Sequence, residues 1–184
     1  MRLMLAAVAL GLLVGACSGG GYGPNGEPEW VARGSGMEEE GGRKVFYGVG
    51  LVTGINNRAL SRSTADNRAR DEIAKIFRTY SASLMRDYMA STTAGDMTAS
   101  AEEQHVEQAI KTFSQATLSG VIIVDHWWDP TDGTDYALAR LDLELFGNAL
   151  EKAKELDAAT RDFVRKNAEK TFDRLNAEED RQAR

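Results

Sequence analysis

The chain has 184 residues, about one domain at roughly 150 residues per domain, and enough to bury a core. Its 42% apolar and 27% charged residues exclude wholesale disorder, and a net charge of -6 excludes the strongly basic surface of a phosphate-gripping nucleic-acid binder. One Cys excludes an internal disulfide framework, and with only two His it leaves too few N and S ligands for a usual structural zinc site.

In chain order, Met1 and Arg2 precede an apolar run from Leu3 to Val14, then Gly15, Ala16 and Cys17. A charged start, a twelve-residue apolar stretch and small residues before a cut are the parts of an export signal over residues 1–16. The run is too short to cross a bilayer, which needs about 20 apolar residues. Leu13-Val14-Gly15-Ala16-Cys17 resembles the lipobox of bacterial lipoproteins. That resemblance implies a mature chain beginning at Cys17, with acyl chains on its sulfur and new amino terminus and no polypeptide in the bilayer. Each buried methylene contributes about 0.8 kcal/mol, so two or three chains hold essentially permanently where one does not. Ser18, in place of an Asp, resembles the pattern sent to the outer membrane.

Residues 17–28 form the lipidated Cys and its tether. Ser18 to Pro28 holds five Gly and two Pro in eleven residues, the composition of a flexible spacer reaching about 20 Å. The folded domain is expected over 29–145, opening at Trp30. Gly34 to Gly42, with Glu38-Glu39-Glu40, reads as a surface loop. Val45 to Val52 reads as a strand in which Gly48 and Gly50 imply a bulge or a close backbone approach. From Asn57 to about Ala90 the spacing of Ala65, Ala69, Ile73, Ile76, Phe77, Tyr80, Leu84 and Tyr88 predicts an amphipathic helix. A second helix is expected from about Ala101 to Leu118, with Val106, Ile110, Phe113 and Thr117 on one face and Gly120 as its stop.

Val121 to Trp128 and Asp135 to Leu145, joined by the turn residues Asp129 to Thr134, predict a β-hairpin. Alternation along its second arm sends Ala137, Ala139, Leu141 and Leu143 to a helix-covered face and Tyr136, Leu138, Arg140 and Asp142 to a half-wet one. Residues 146–184 are expected to form a charged amphipathic helical tail. Its nine basic and nine acidic residues from Glu151 onward suit an exposed, salt-bridge-laced helix better than a membrane-surface one. The fold class expected is α+β: a small antiparallel or mixed sheet with a C-terminal hairpin, covered by helices and followed by a long C-terminal helix.

Several groups invite a chemical reading. Gly48-Val49-Gly50-Leu51-Val52-Thr53-Gly54 superficially suggests a dinucleotide turn, but the spacing is not G-x-G-x-x-G and the next strand lies about 70 residues away instead of within about 30. Glu102, Glu103, His105 and Glu107 cluster on one helix, where a single His among carboxylates suits a solvated acidic face better than a metal cage. His126, with Asp125 or Asp129 as an orienting carboxylate, has no accompanying nucleophile motif. No catalytic, cofactor or metal site is therefore assigned. Trp127 and Trp128 must face opposite sides of a regular strand, so only one can enter the core. The other, with Tyr136 and Arg140, has the composition of an interaction hot spot unless the tail helix covers it. Arg58, Arg62, Arg68 and Arg70 give the first long helix a basic surface, read as a solvated face with some capacity for anionic cell wall or lipid headgroups.

Taken together, the lipobox, the short tether, Pro28-Glu29-Trp30, Phe46-Tyr47-Gly48-Val49-Gly50, the Ala- and Arg-rich helix through Ala65 to Ala74, Gly120 to Asp125, Trp128-Asp129 and Gly133 to Asp142 resemble the LPP-twenty family of bacterial outer-membrane lipoproteins. The resemblance spans roughly Pro28 to Asp142 and rests on the order of its pieces. It implies a lipoprotein without known enzymatic activity, some relatives of which assist flagellar or other envelope assembly. The function expected is a non-enzymatic scaffold or interaction protein, facing periplasm or cell surface, that contacts the bilayer through Cys17 and an envelope protein or further copies of itself, with no cofactor and no nucleic acid. The alternative is a lipoprotein activator of a peptidoglycan synthase, for which an eleven-residue tether is short.

Overall fold

The computed structural model describes residues 23, 26–92, 108, 111, 114, 115, 117–151 and 158–182. Cys17 lies outside the described residues, as do Glu102, Glu103, His105 and Glu107 of the second predicted helix.

The fold is α+β. Four strands, β1 (Gly36–Glu40), β2 (Arg43–Val52), β3 (Ile122–Trp128) and β4 (Asp135–Asp142), form one sheet in the order β1-β2-β4-β3, and every pairing is antiparallel. The segment expected as a surface loop is in fact β1. Gly41 and Gly42 both take positive φ (57° and 79°), the geometry of a two-residue hairpin turn, so the acidic run folds back on β2 as an edge strand. Only Met37 of β1 is buried; its three glutamates stay at least partly exposed, which guards the edge against further pairing.

A five-residue helix, α1 (Glu29–Arg33), precedes the sheet, and a 35-residue helix, α2 (Arg58–Thr92), crosses it. Asn57 caps α2: its Oδ1 accepts from the backbone N–H of Ala59 and Leu60 at 3.1 and 3.2 Å. Of the predicted stripe, Ala65, Ala69, Ile73, Phe77, Tyr80 and Leu84 are wholly buried, while Ile76 and Tyr88 are half-buried at its margin. The alanines match the glycines opposite. A Cβ on Gly48 would stand 2.2 Å from the Ala69 carbonyl oxygen, and one on Gly50 would stand 2.2 Å from the Ala65 oxygen and the Ala69 nitrogen. The β2–β4 register runs unbroken from Val45↔Asp142 to Val52↔Asp135, so these glycines serve close approach and make no bulge. The register shift falls in β3 instead, between Ile123 and Asp125.

Among the described residues the tail holds the helices α3 (Leu143–Glu151) and α4 (Ala158–Gln182), and both enter the core. Phe46 meets Phe77, Tyr80 and Phe172 edge-on at 5.2 to 5.4 Å, and Phe146 of α3 meets Phe77 at 5.4 Å. Polar clasps add direction. Tyr80 donates to the Ala168 carbonyl (3.2 Å), Arg174 reaches Asp87 and Ser83 (both 2.8 Å), and Lys44 pairs with Asp173. The expected exposed helix outside the domain is thus a structural layer of it: Val164 and Phe172, eight residues apart, supply an apolar stripe that charge balance alone conceals.

Candidate functional site

The face of the sheet away from α2 is the half-wet one expected from β4. Its centre is closed by Trp30 of α1, only 7% exposed, which packs with Val45, Tyr47 and Leu138. The Trp30 indole N–H donates to Asp125 of β3 at 2.9 Å, anchoring the point where the chain enters the domain. Beyond Trp30 the face divides. At one end Trp127 and Tyr136, cross-strand partners with ring centroids 5.2 Å apart, are half-buried. At the other, Arg140 donates to Glu40 (2.7 Å) and, through two nitrogens, to Asp142 (2.8 and 3.0 Å), while the Tyr47 hydroxyl donates to Glu40 at 2.9 Å. Burial, then the hydrogen bond to Glu40, pushes the Tyr47 phenol above its usual range, so it remains a neutral donor. Arg140 is committed to this network, about 13 Å of strand away from Tyr136. The predicted hot-spot residues are therefore two separate groups.

Trp128 is not with them. It lies on the α2 side, 44% exposed, with the Arg58 guanidinium 4.9 Å above its ring. Neither tryptophan of the pair is a fully buried core residue, because β3 is an edge strand whose Trp127 and Trp128 stand at its end. The tail helix does not cover Trp127; it packs with α2 and β1 on the opposite side.

His126 shares the α2 side with Trp128. The carboxylate that meets its imidazole is neither Asp125, which accepts from the Trp30 indole and the His126 backbone N–H, nor Asp129, whose Oδ1 accepts from Thr131 in the turn; it is Asp66 of α2. His126 Nε2 lies 2.5 Å from Asp66 Oδ1, and Nδ1 lies 2.9 Å from an Arg62 nitrogen. A guanidinium can only donate, so Nδ1 accepts and the ring proton sits on Nε2, facing Asp66. A general base must offer a lone pair to a hydroxyl or water; here the lone pair is occupied by Arg62. The nearby Ser61 hydroxyl donates to Asp135 at 2.5 Å instead, so Ser61 and His126 do not form a nucleophile and base pair.

The arginines read as a solvated face are more tightly held than that. Arg58 stacks on Trp128 and stands 3.6 Å from Asp135, Arg62 binds His126, and Arg68 donates to the Leu51 carbonyl at 2.6 Å; Arg70 is exposed. Sequence spacing could not show this, because each partner lies on another element. The same is true of a cleft of about 420 Å³ between the β1–β2 turn, α3 and α4, where Arg43, Lys44, Arg161 and Arg165 alternate with Asp142, Glu144 and Glu169. Among the described residues no cluster of three or more His, Cys, Asp or Glu could hold a metal ion, and no helix is long and apolar enough to cross a membrane. No family model matches the chain, and no curated protein matches it in sequence.

Proposed function

We propose that this chain is a non-enzymatic outer-membrane lipoprotein, anchored by acyl chains on Cys17, that serves as an envelope scaffold or interaction protein in flagellar or other envelope assembly. The anchoring half of this reading rests on Leu13-Val14-Gly15-Ala16-Cys17, which places the sole thiol of the chain after two small residues. The observation that carries the interaction half is the Trp127–Tyr136 pair, a half-buried aromatic couple on the sheet face where the chain enters the domain. Rigid aromatics with part of their surface still wet are the residues that dominate interface energies.

The test is in-cell photo-crosslinking from position 136, with the same probe at the exposed Glu178 as reference and Cys17→Ala as the unanchored control. The expected result is a product specific to position 136 and dependent on Cys17: an envelope-assembly component, or a closed homo-oligomer. Capture of a peptidoglycan synthase would replace the scaffold reading with that of a synthase activator. Equal labelling from positions 136 and 178 would contradict an interaction face at Trp127 and Tyr136.

A further inference from the structure

Most charges on the sheet face away from α2 are answered within the fold. Arg140 takes up Glu40 and Asp142, Arg33 pairs with Glu38 at 2.7 Å, and Asp125 accepts from the Trp30 indole and the His126 backbone N–H. At the end of this face marked by the β3–β4 turn the pattern changes. Asp129 Oδ1 accepts from the backbone N–H of Thr131 at 2.7 Å, and Asp132 Oδ1 from that of Thr134 at 2.9 Å. These donors are neutral, so they orient the two carboxylates without cancelling their charge. Hydrogen bonds from the Thr134 hydroxyl and backbone hold the Asp132 carboxyl below its usual range, so it stays ionised at neutral pH. Among the described residues no Lys, Arg or His pairs with either aspartate; Arg58, on the α2 side, answers Asp135 instead at 3.6 Å.

An apolar row ends beside these carboxylates. Leu51, Tyr136 and Trp127 are register partners across the neighbouring strands β2, β4 and β3, so they line up on one face over about 10 Å. Leu51 is 46% exposed, Tyr136 and Trp127 are half-buried, and Val49 and Val31 continue the apolar surface toward Trp30. Asp129 stands two residues beyond Trp127, and its backbone N–H donates to Thr134, two residues before Tyr136, so strand alternation carries it to the same face. Burial, then the charges of Asp132 and Asp129, push the Tyr136 phenol above its usual range: both carboxylates act on this ring.

Aromatic faces bordered by ionised carboxylates favour one kind of group. A guanidinium or ammonium is attracted by the ring faces and by the carboxylates together, while its methylene stem covers apolar surface; an anion is repelled by both. We propose that Leu51, Trp127 and Tyr136, with Asp129 and Asp132, dock a basic segment of a partner protein, one that presents arginine or lysine beside an apolar side chain. The proposal rests on the interaction reading of the Trp127–Tyr136 face and adds the chemistry of its occupant. The rings and Leu51 supply the contact area, and the aspartates select the sign of the partner's charge and speed its encounter.

The test titrates the chain from residue 17 onward, with Cys17→Ala so that no acyl chain contributes, against a fluorescent acetylated pentapeptide amide, Arg-Leu-Arg-Leu-Arg, and its Glu-for-Arg counterpart. Fluorescence anisotropy measures binding. The expected result is binding of the basic peptide only, weakening as salt is raised. Asp129→Asn and Asp132→Asn keep a carbonyl oxygen for the turn N–H groups and remove only the charge; each is expected to weaken binding about threefold, the size of one exposed ion pair. Tyr136→Leu keeps apolar area but loses the ring face, and is expected to weaken it about as much. Glu178→Gln removes the same charge from the exposed side of α4 and should leave the affinity unchanged. Absence of binding, equal binding of both peptides, or equal weakening by Glu178→Gln and Asp132→Asn would overturn the proposal. Self-association of the parent chain that Leu51→Glu abolishes, with no preference for the basic peptide, would overturn it too and assign the face to a second copy. Crosslinking from position 136 tests whether the face is used at all, so a specific crosslink without that preference would keep the interaction face and remove only its basic occupant.

Discussion

Gly50→Ala is expected to destabilise the domain by about 3 kcal/mol, although the same exchange at an unstrained position commonly stabilises by about 0.4–1 kcal/mol. The sign reverses because the new Cβ would lie 2.2 Å from both the Ala65 oxygen and the Ala69 nitrogen, atoms of the α2 backbone that cannot rotate away. Relief requires α2 to lift from the sheet, opening gaps around Ala65, Ala69 and Ile73. Gly48→Ala meets the Ala69 oxygen at the same distance and is expected to behave alike. Gly147, exposed within α3 with nothing near its added Cβ, is the control; its exchange for Ala should stabilise by up to about 1 kcal/mol. Urea denaturation followed by circular dichroism separates the two, and a Gly50→Ala midpoint equal to that of the parent would contradict the close α2–β2 contact.

Phe172→Ala is expected to cost about 3–5 kcal/mol, the range for removing a buried phenylalanine. That is a large share of the roughly 5–15 kcal/mol that holds a domain together. Phe172 is 1% exposed, its ring meets Phe46 at 5.2 Å, and the Lys44 ammonium lies 5.6 Å from the centre of the same ring. Truncation removes the only phenylalanine that α4 sends to Phe46, so loss of stability should be global and cooperative. Glu178→Ala, on the exposed side of the same helix, should change stability by less than about 0.5 kcal/mol. If the tail were an independent appendage, Phe172→Ala would leave the unfolding midpoint of the sheet unchanged.

These two sites also mark how far a reading from residues alone reaches. Periodicity identifies α2 and its buried stripe, the Asp-Pro-Thr-Asp-Gly-Thr turn identifies the hairpin, and alternation identifies β4 and its two faces, although the strand stops at Asp142 and Leu143 to Leu145, expected within it, open α3 instead. The glycine pair in β2 was legible as a close approach, though its partner backbone in α2 was not. β1 was concealed by its glutamates: an edge strand needs only one buried side chain, Met37, and alternation of a single apolar residue is no pattern. The Gly41-Gly42 pair was the signal that could have exposed it. The packing of the tail is hidden because its charges balance, while the residues that meet the core, Val164 and Phe172 with Phe163, Ala168 and Leu175 beside them, stand among many charged ones. At the site, strand alternation separates Trp127 from Trp128 without showing which of them meets Tyr136, a choice made by the strand register, whereas the Asp66–His126–Arg62 arrangement joins residues 60 and 64 positions apart, which spacing cannot relate.

Acyl chains on Cys17 are proposed to hold this domain at a membrane, and metabolic labelling with a fatty-acid analogue reads that attachment on the chain itself. Full-length protein and its Cys17→Ala variant are expressed in a bacterium that processes lipoproteins, and label is read on the isolated chains. Label is expected on the parent chain, which sediments with the outer membrane, and none on Cys17→Ala; equal label on both chains would contradict lipidation at Cys17.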